Sequence, residues 1–143
     1  MILLDTNVLS EPLKPQPEPA VLAWLNEQAP QTLWLSSIAL AELLAGVAAL
    51  PAGKRRTALA RALDQKLLPL FEGRVLAFDT QAAHAYAAVQ TGAAAAGNPI
   101  SFADGAMAAI AAAHGYALAT RNVRDFKGTG VVLINPWDTA SAG

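Results

Sequence analysis

Three carboxylates in this chain sit in places where an acid needs a reason. Asp5 ends the apolar run Ile2-Leu3-Leu4 and is followed at once by Thr6 and Asn7. Glu42 lies inside Ile38-Ala39-Leu40-Ala41-Glu42-Leu43-Leu44-Ala45-Gly46-Val47, where no Lys, Arg or His falls three or four residues away. On a helix those spacings are the ones that bring partners together, and an ionised carboxylate on a packed apolar face is costly unless it is paired or binds a metal. Asp104 follows Ser101-Phe102-Ala103 at the head of an alanine-rich run. The chain has no cysteine and only His84 and His114, so any metal site in it is built of oxygen. Oxygen donors suit Mg²⁺, or Mn²⁺, rather than Zn²⁺. Such an ion polarises a phosphoryl oxygen and lowers the pKa of a bound water, and a carboxylate within reach can accept that water's proton.

Each acid also has a plainer reading. Asp5 fits a turn or a helix cap. Glu42 fits the margin of a buried stripe, with its carboxylate reaching water. Ser101-x-x-Asp104 has the spacing of a capping box, and an acid is favoured in a helix's first turn by the dipole. Asn122 and Asp125 follow a strand that ends at Thr120; they are loop residues or a delivery of polar groups to the same rim, and Asp125 has Arg121 and Arg124 as alternative partners. His114 precedes Gly115 and reads as a C-terminal helix residue, and His84 has no second ligand near it.

Positioning these side chains requires strands that alternate with helices. Residues 2–5 read as a buried first strand. Residues 10–19 are proline-rich and read as a surface loop. A helix follows from Pro19 to about residue 26, then a strand at 33–36. Ser36 or Ser37 caps a helix over about 38–50. Residues 54–68 read as one amphipathic helix, with Leu59, Leu63 and Leu67 on its stripe and Lys54, Arg55, Arg56, Arg61 and Lys66 outside. Strands at 75–78, 116–120 and 131–134 bracket helices at 80–96 and 101–113, the second closed by Gly115. The alternation implies an α/β fold: a three-layer α/β/α sandwich on a mostly parallel central sheet. If the first strand is central, its carboxyl end opens on the crevice where such sheets bind ligands, with Asp5 at its edge.

The whole chain bounds the possibilities. Its 143 residues suit one domain, expected over 1–138, with a tail at 139–143. A formal charge of −1 argues against coating nucleic acid by bulk electrostatics, but not against a local basic rim. The absence of cysteine fits the cytoplasm, strand residues directly after Met1 leave no signal peptide, and no run approaches the roughly 20 apolar residues of a membrane span.

Four blocks occur together in order: Leu-Leu-Asp-Thr-Asn-Val at 3–8, Ala-Glu-Leu at 41–43, Ala-Asp-Gly at 103–105, and Ala-Thr-Arg-Asn-Val-Arg-Asp-Phe at 119–126. They resemble the PIN-domain ribonucleases of the VapC type, toxins of bacterial toxin–antitoxin pairs. The opening 1–13 and the closing Asn-Pro-Trp at 135–137 resemble the FitB branch. The resemblance implies a metal-dependent endoribonuclease with Asp5, Glu42 and Asp104 as metal-site acids. It places Thr6 and Asn7 as orienting polar residues, with Thr120 and Asp125 in support. Asn122 falls where many members carry a fourth acid, a departure that weakens a second metal position. It further implies an RNA substrate, a small antitoxin with a DNA-binding domain, and a homodimer. Lys54, Arg55, Arg56, Arg121, Arg124 and Lys127 are candidate phosphate contacts, with a solvated charged face as the alternative for the 54–66 segment. Two other functions compete. One is an aspartyl-phosphate phosphatase, which expects an acid two residues after Asp5 where this chain has Asn7. The other is a binding module, either receiver-like or an inactive PIN scaffold.

Overall fold

The computed structural model describes residues 1–138; the expected tail at 139–143 lies outside the described residues. Five parallel strands form one sheet: β1 (Ile2–Leu4), β2 (Leu33–Ser36), β3 (Val75–Leu76), β4 (Ala117–Ala119) and β5 (Leu133–Ile134), in the order β3-β2-β1-β4-β5. The helices are α1 (Thr6–Ser10), α2 (Pro19–Glu27), α3 (Ser37–Ala48), α4 (Lys54–Ala62), α5 (Thr80–Ala95) and α6 (Phe102–His114). No helix among the described residues is long and apolar enough to cross a membrane.

Alternation along β1 divides the core. Leu4 joins Val8, Leu9, Leu35, Leu43, Leu63 and Phe71 on one face, while Leu3 joins Val89, Ala109, Ile110, Leu118 and Phe126 on the other. Successive strand side chains point to opposite faces, so three consecutive apolar residues are what a strand covered on both sides requires. The expected α/β/α architecture is therefore the observed one.

Strand order fixes the site. The chain runs outward from β1 through β2 to β3, then returns to place β4 on β1's other side. Leu4 pairs in register with Ala119, and the Asp5 amide donates to the Ala119 carbonyl at 2.9 Å. Asp5 and Thr120 thus leave adjacent strands side by side, at the point where the connections part.

Several elements differ from expectation. The chain turns into α1 directly after Asp5, because the Asp5 carboxylate caps it through the Thr6 amide. A 3-10 turn follows at Glu11–Leu13, with Pro12 in its first positions, where a missing N–H costs nothing. The 54–68 helix is broken: α4 stops at Ala62, a single π turn spans Leu63–Leu67, and a 3-10 turn spans Leu68–Phe71. Pro69 cannot donate to a helical ladder, so the hydrogen bonding changes register just before it. Leu63 and Leu67 stay buried across that change, whereas Leu59 is only half-buried. Caps at Ser36, Ser101 and Gly115 stand as expected, the last with φ +69°.

The loop after β4 is bolted to the end of α5. Asn98 Nδ2 donates to the carbonyls of Arg124, Asp125 and Lys127 at 3.0, 3.4 and 3.1 Å. Gly92 faces Gly128 so closely that a methyl there would stand 2.6 Å from the Gly128 carbonyl oxygen. Gly92→Ala is expected to cost about 1–3 kcal/mol in urea unfolding, since the obstruction is backbone. Gly46→Ala, with nothing within 4 Å of the new methyl, should instead gain about 0.5–1 kcal/mol as a helix-interior glycine.

Candidate active site

Asp5 is 5% exposed and accepts three hydrogen bonds at the sheet's carboxyl rim. The Thr6 amide reaches Oδ1 at 2.7 Å; the Thr120 hydroxyl and the Asn7 amide reach Oδ2 at 2.7 and 3.4 Å. Thr120, fully buried, accepts in turn from the Asn122 amide at 3.0 Å. Asn7 Oδ1 accepts from the Arg121 amide at 3.3 Å. These bonds tie α1 to the loop after β4.

Glu42 sits elsewhere than its sequence suggests. Only Ala39 and Leu43 are buried on α3, and Glu42 is exposed together with Ala41, Leu44 and Ala45. The closely packed apolar face expected around it is a solvent face, so burial cost is not what explains this acid. Its Oε1 accepts the Thr6 hydroxyl at 2.7 Å, which swings the carboxylate over α1 toward Asp5. Asp104 is half-buried in the first turn of α6, behind the Ser101 cap, whose Oγ accepts the Asp104 amide at 3.2 Å. The capping reading of Ser101 and the cap reading of Asp5 therefore both hold as local structure.

Electrostatics show that the acids share one region. Burial pushes the Asp5 carboxyl above its ordinary range; the Thr120 and Thr6 bonds pull it down, and the charges of Glu42 and Asp125 push it up again. Asp104 is also raised, by burial first and then by Asp5, Asp125 and Glu42. Among the described residues none of these four acids has an ion-pair partner. Nor do three acidic or histidine side chains close around one point. Asp125 is exposed on the 3-10 turn Val123–Phe126; its charge adds to the raising of Asp5 and Asp104, and it makes no ion pair with Arg121 or Arg124. Asn122, at the head of that turn, is exposed.

The candidate cations divide. Arg55 lines a cleft of about 620 Å³ that also contains Thr6 and Glu42, whereas Lys54 and Arg56 do not line it. Arg124 and Lys127 are exposed beside Asp125. The Arg121 guanidinium lies 5.2 Å from the Trp137 ring. One pair escaped notice in the sequence: Glu11 is 4% exposed, and its Oε2 faces Lys14 Nζ at 2.8 Å as an ion pair. That ammonium holds the Glu11 carboxyl below its ordinary range, with Arg121 adding to the effect. Glu11 Oε1 also accepts the Glu18 amide at 3.2 Å, pinning the proline-rich loop. The signal available was the Glu-x-x-Lys spacing, masked by flanking prolines.

A parallel sheet of this order, with several carboxylates over its switch point, defines an α/β/α protein that concentrates negative charge at one rim. Comparison with known proteins narrows the class. The chain belongs to the PIN-domain family, whose model matches residues 2–131. It is 49% identical over 98% of its length to the whole of the VapC ribonuclease Y4jK of Sinorhizobium fredii. It is 47% identical to Toxin FitB of Neisseria gonorrhoeae, covering 96% of this chain and 99% of that one. The crystal structure of FitAcB from the same organism superposes with a TM-score of 0.92 at 46% identity, over 96% of this chain and 99% of that one.

Raised carboxyls mean that the folded chain binds more protons than the unfolded chain between the ordinary and raised values. Their ionisation therefore opposes folding above that window, and stability from this source grows as pH falls through it. In metal-free buffer, the melting temperature of the native protein relative to Asp5→Asn is expected to rise as pH is lowered from 7 into the carboxylate range. A difference that stays flat with pH would show that Asp5 carries no such penalty.

Proposed function

We propose that this protein is a metal-dependent endoribonuclease and the toxin of a toxin–antitoxin pair. The observation that carries this is the acidic rim itself. Asp5 is buried, held by three donors, repelled by neighbouring carboxylates, and matched by no base. A hard divalent cation is the partner such a donor set fits, and Mg²⁺ typically takes one or two carboxylates and keeps several waters. Asp5 and Asp104 would hold it, with Glu42 contributing directly or through water. When bound, the ion supplies charge for the scissile phosphate and for activation of water.

The chain's own groups do the rest. Thr6 and Thr120 hold carboxylates by hydrogen bonds, and Glu42, exposed and bonded to Thr6, would accept a proton. Asp125 supplies the fourth charge that Asn122 does not. Arg55 at the cleft and Arg124 and Lys127 beside Asp125 would position RNA phosphates, with Lys54, Arg56 and Arg121 more remote contributors. The ribonuclease and toxin names of relatives near half identity support both halves of this reading.

The cleft beside Glu42 offers a place for the antitoxin. Leu13, Leu43, Val47, Leu50 and Leu59 line it, with Lys14 and Arg55 among them. A short apolar segment carrying acids would fit it, delivered by a small protein with a DNA-binding domain. The exposed small residues of α3 would serve the same partner or a second copy of this chain.

Purified protein is expected to cut RNA with Mg²⁺ or Mn²⁺ and to lose cutting with a chelator. Asp5→Asn and Asp104→Asn, folded by circular dichroism, should abolish it. Thr6→Val should reduce kcat about tenfold or more, as loss of an orienting bond does at metal sites. Cleavage by Asp5→Asn at the native rate would refute the site. Asn122 keeps a second reading open, that of an inactive scaffold acting as a binding module; metal-dependent turnover that Glu42→Gln removes would dismiss it.

A further inference from the structure

Three of the chain's nine aromatic side chains gather from three different elements beside Asp104. Phe78 follows β3, Tyr86 lies on α5, and Phe102 opens α6. Their ring centroids are mutually close: 5.8 Å for Phe78–Phe102, 5.4 Å for Tyr86–Phe102 and 6.0 Å for Phe78–Tyr86. Phe78 and Tyr86 are half-buried, but Phe102 is 60% exposed.

The cluster is held by hydrogen bonds. Gln90 Nε2 donates to the Tyr86 hydroxyl at 2.7 Å and to the Ile100 carbonyl at 3.4 Å. The Phe78 amide donates to Ser37 Oγ at 3.2 Å. Phe78 meets Phe102 nearly edge-on, with 74° between the planes, and Tyr86 meets it at 52°. Neither neighbour stacks flat on Phe102, and most of its surface stays open to water. A ring that served only to fill the core would be covered.

Its placement gives the exposure a purpose. Phe102 and Asp104 lie at the head of α6, and Phe102 packs against Phe78, which leaves the carboxyl end of β3, so the ring stands at the carboxyl rim of the sheet. Phe78 leaves β3, two strands to one side of β1, at a spacing of about 10 Å. Arg124 and Lys127 leave β4 on the other side. A single strand laid across the rim would meet cations at one flank, acids in the middle and an aromatic surface at the other.

We infer that Phe102, backed by Phe78 and Tyr86, is the stacking platform for an unpaired nucleobase next to the scissile phosphate. This rests on the nuclease reading above and names the form of RNA it takes: single-stranded at that nucleotide. Every base has a π-face, so the subsite selects for an unpaired base more than for its identity.

Binding of a 5′-labelled single-stranded oligoribonucleotide, read by fluorescence anisotropy without metal, tests it. Phe102→Ala should weaken Kd about tenfold, within the range of one lost base–aromatic stack. Phe102→Trp should restore binding and Phe102→Leu should not, and the salt dependence should be the same in all, because no phosphate contact changes. Removing the base beside the cleavage site should weaken the native protein and leave Phe102→Ala no weaker still. Native-like binding by the Ala or Leu variant would overturn the platform. So would a fall from dimer to monomer in the Ala variant by sedimentation, which would make the ring a contact between copies. If the native protein binds RNA in this pattern but does not cut it with Mg²⁺ or Mn²⁺, the nuclease reading fails and the platform stands. If it cuts and Phe102→Ala binds and cuts as well as native, the platform alone fails.

Discussion

The hydrogen bond from the Thr120 hydroxyl to Asp5 joins residues 115 positions apart and is fully enclosed. A hydroxyl has one proton to give. The Asn122 amide occupies Thr120 as a donor, so Thr120's own proton is committed to the carboxylate. The bond exists only because β1 and β4 pair in parallel and in register, placing both residues one step past the same rung. A slip of one residue would turn Asp5 into the core and Leu4 toward the rim. Apolar packing on both faces makes that slip costly because it would bury the Asp5 charge.

Around this bond the protein keeps negative charge together instead of dispersing it. Asp5 and Asp104 are both raised by burial and by neighbouring acids. Two nearby bases are engaged elsewhere. Lys14 is paired with Glu11, and Arg121 lies over Trp137. Glu11 is thus more than a loop anchor, since it holds one cation and attracts a second. Leaving Asp5 and Asp104 without an ion-pair partner is an arrangement suited to a bound cation, and one that a protein built only for stability would avoid.

Much of this was legible in the sequence because it depends on near neighbours. Ser101 and Gly115 announced the ends of α6, and the runs at 2–5, 33–36 and 116–120 announced strands. Asp5 was visible as an acid that breaks an apolar run. Glu42 was singled out on a mistaken premise: it shares the exposed side of α3 with Ala41, Leu44 and Ala45, and a helix of small residues does not reveal which side is covered. The 54–68 stripe read as one helix because periodicity cannot register the single π turn that Pro69 provokes. Thr6 gave no sign of holding Glu42, since 36 residues separate them.

What the sequence alone determined is the alternation of strand and helix, the caps, the absence of thiolate ligands, and four ordered blocks that mark the family. These follow from local rules, in which a residue's type and its spacing over a few positions decide the outcome. Tertiary structure alone decided that Asp125 pairs with neither Arg121 nor Arg124, that Arg121 turns to Trp137, that buried Glu11 meets Lys14, and that Phe102 stands exposed against two other rings. Those outcomes depend on which strands lie side by side at the rim. That order is set by how both faces of the sheet are covered, and no short stretch of chain contains the information.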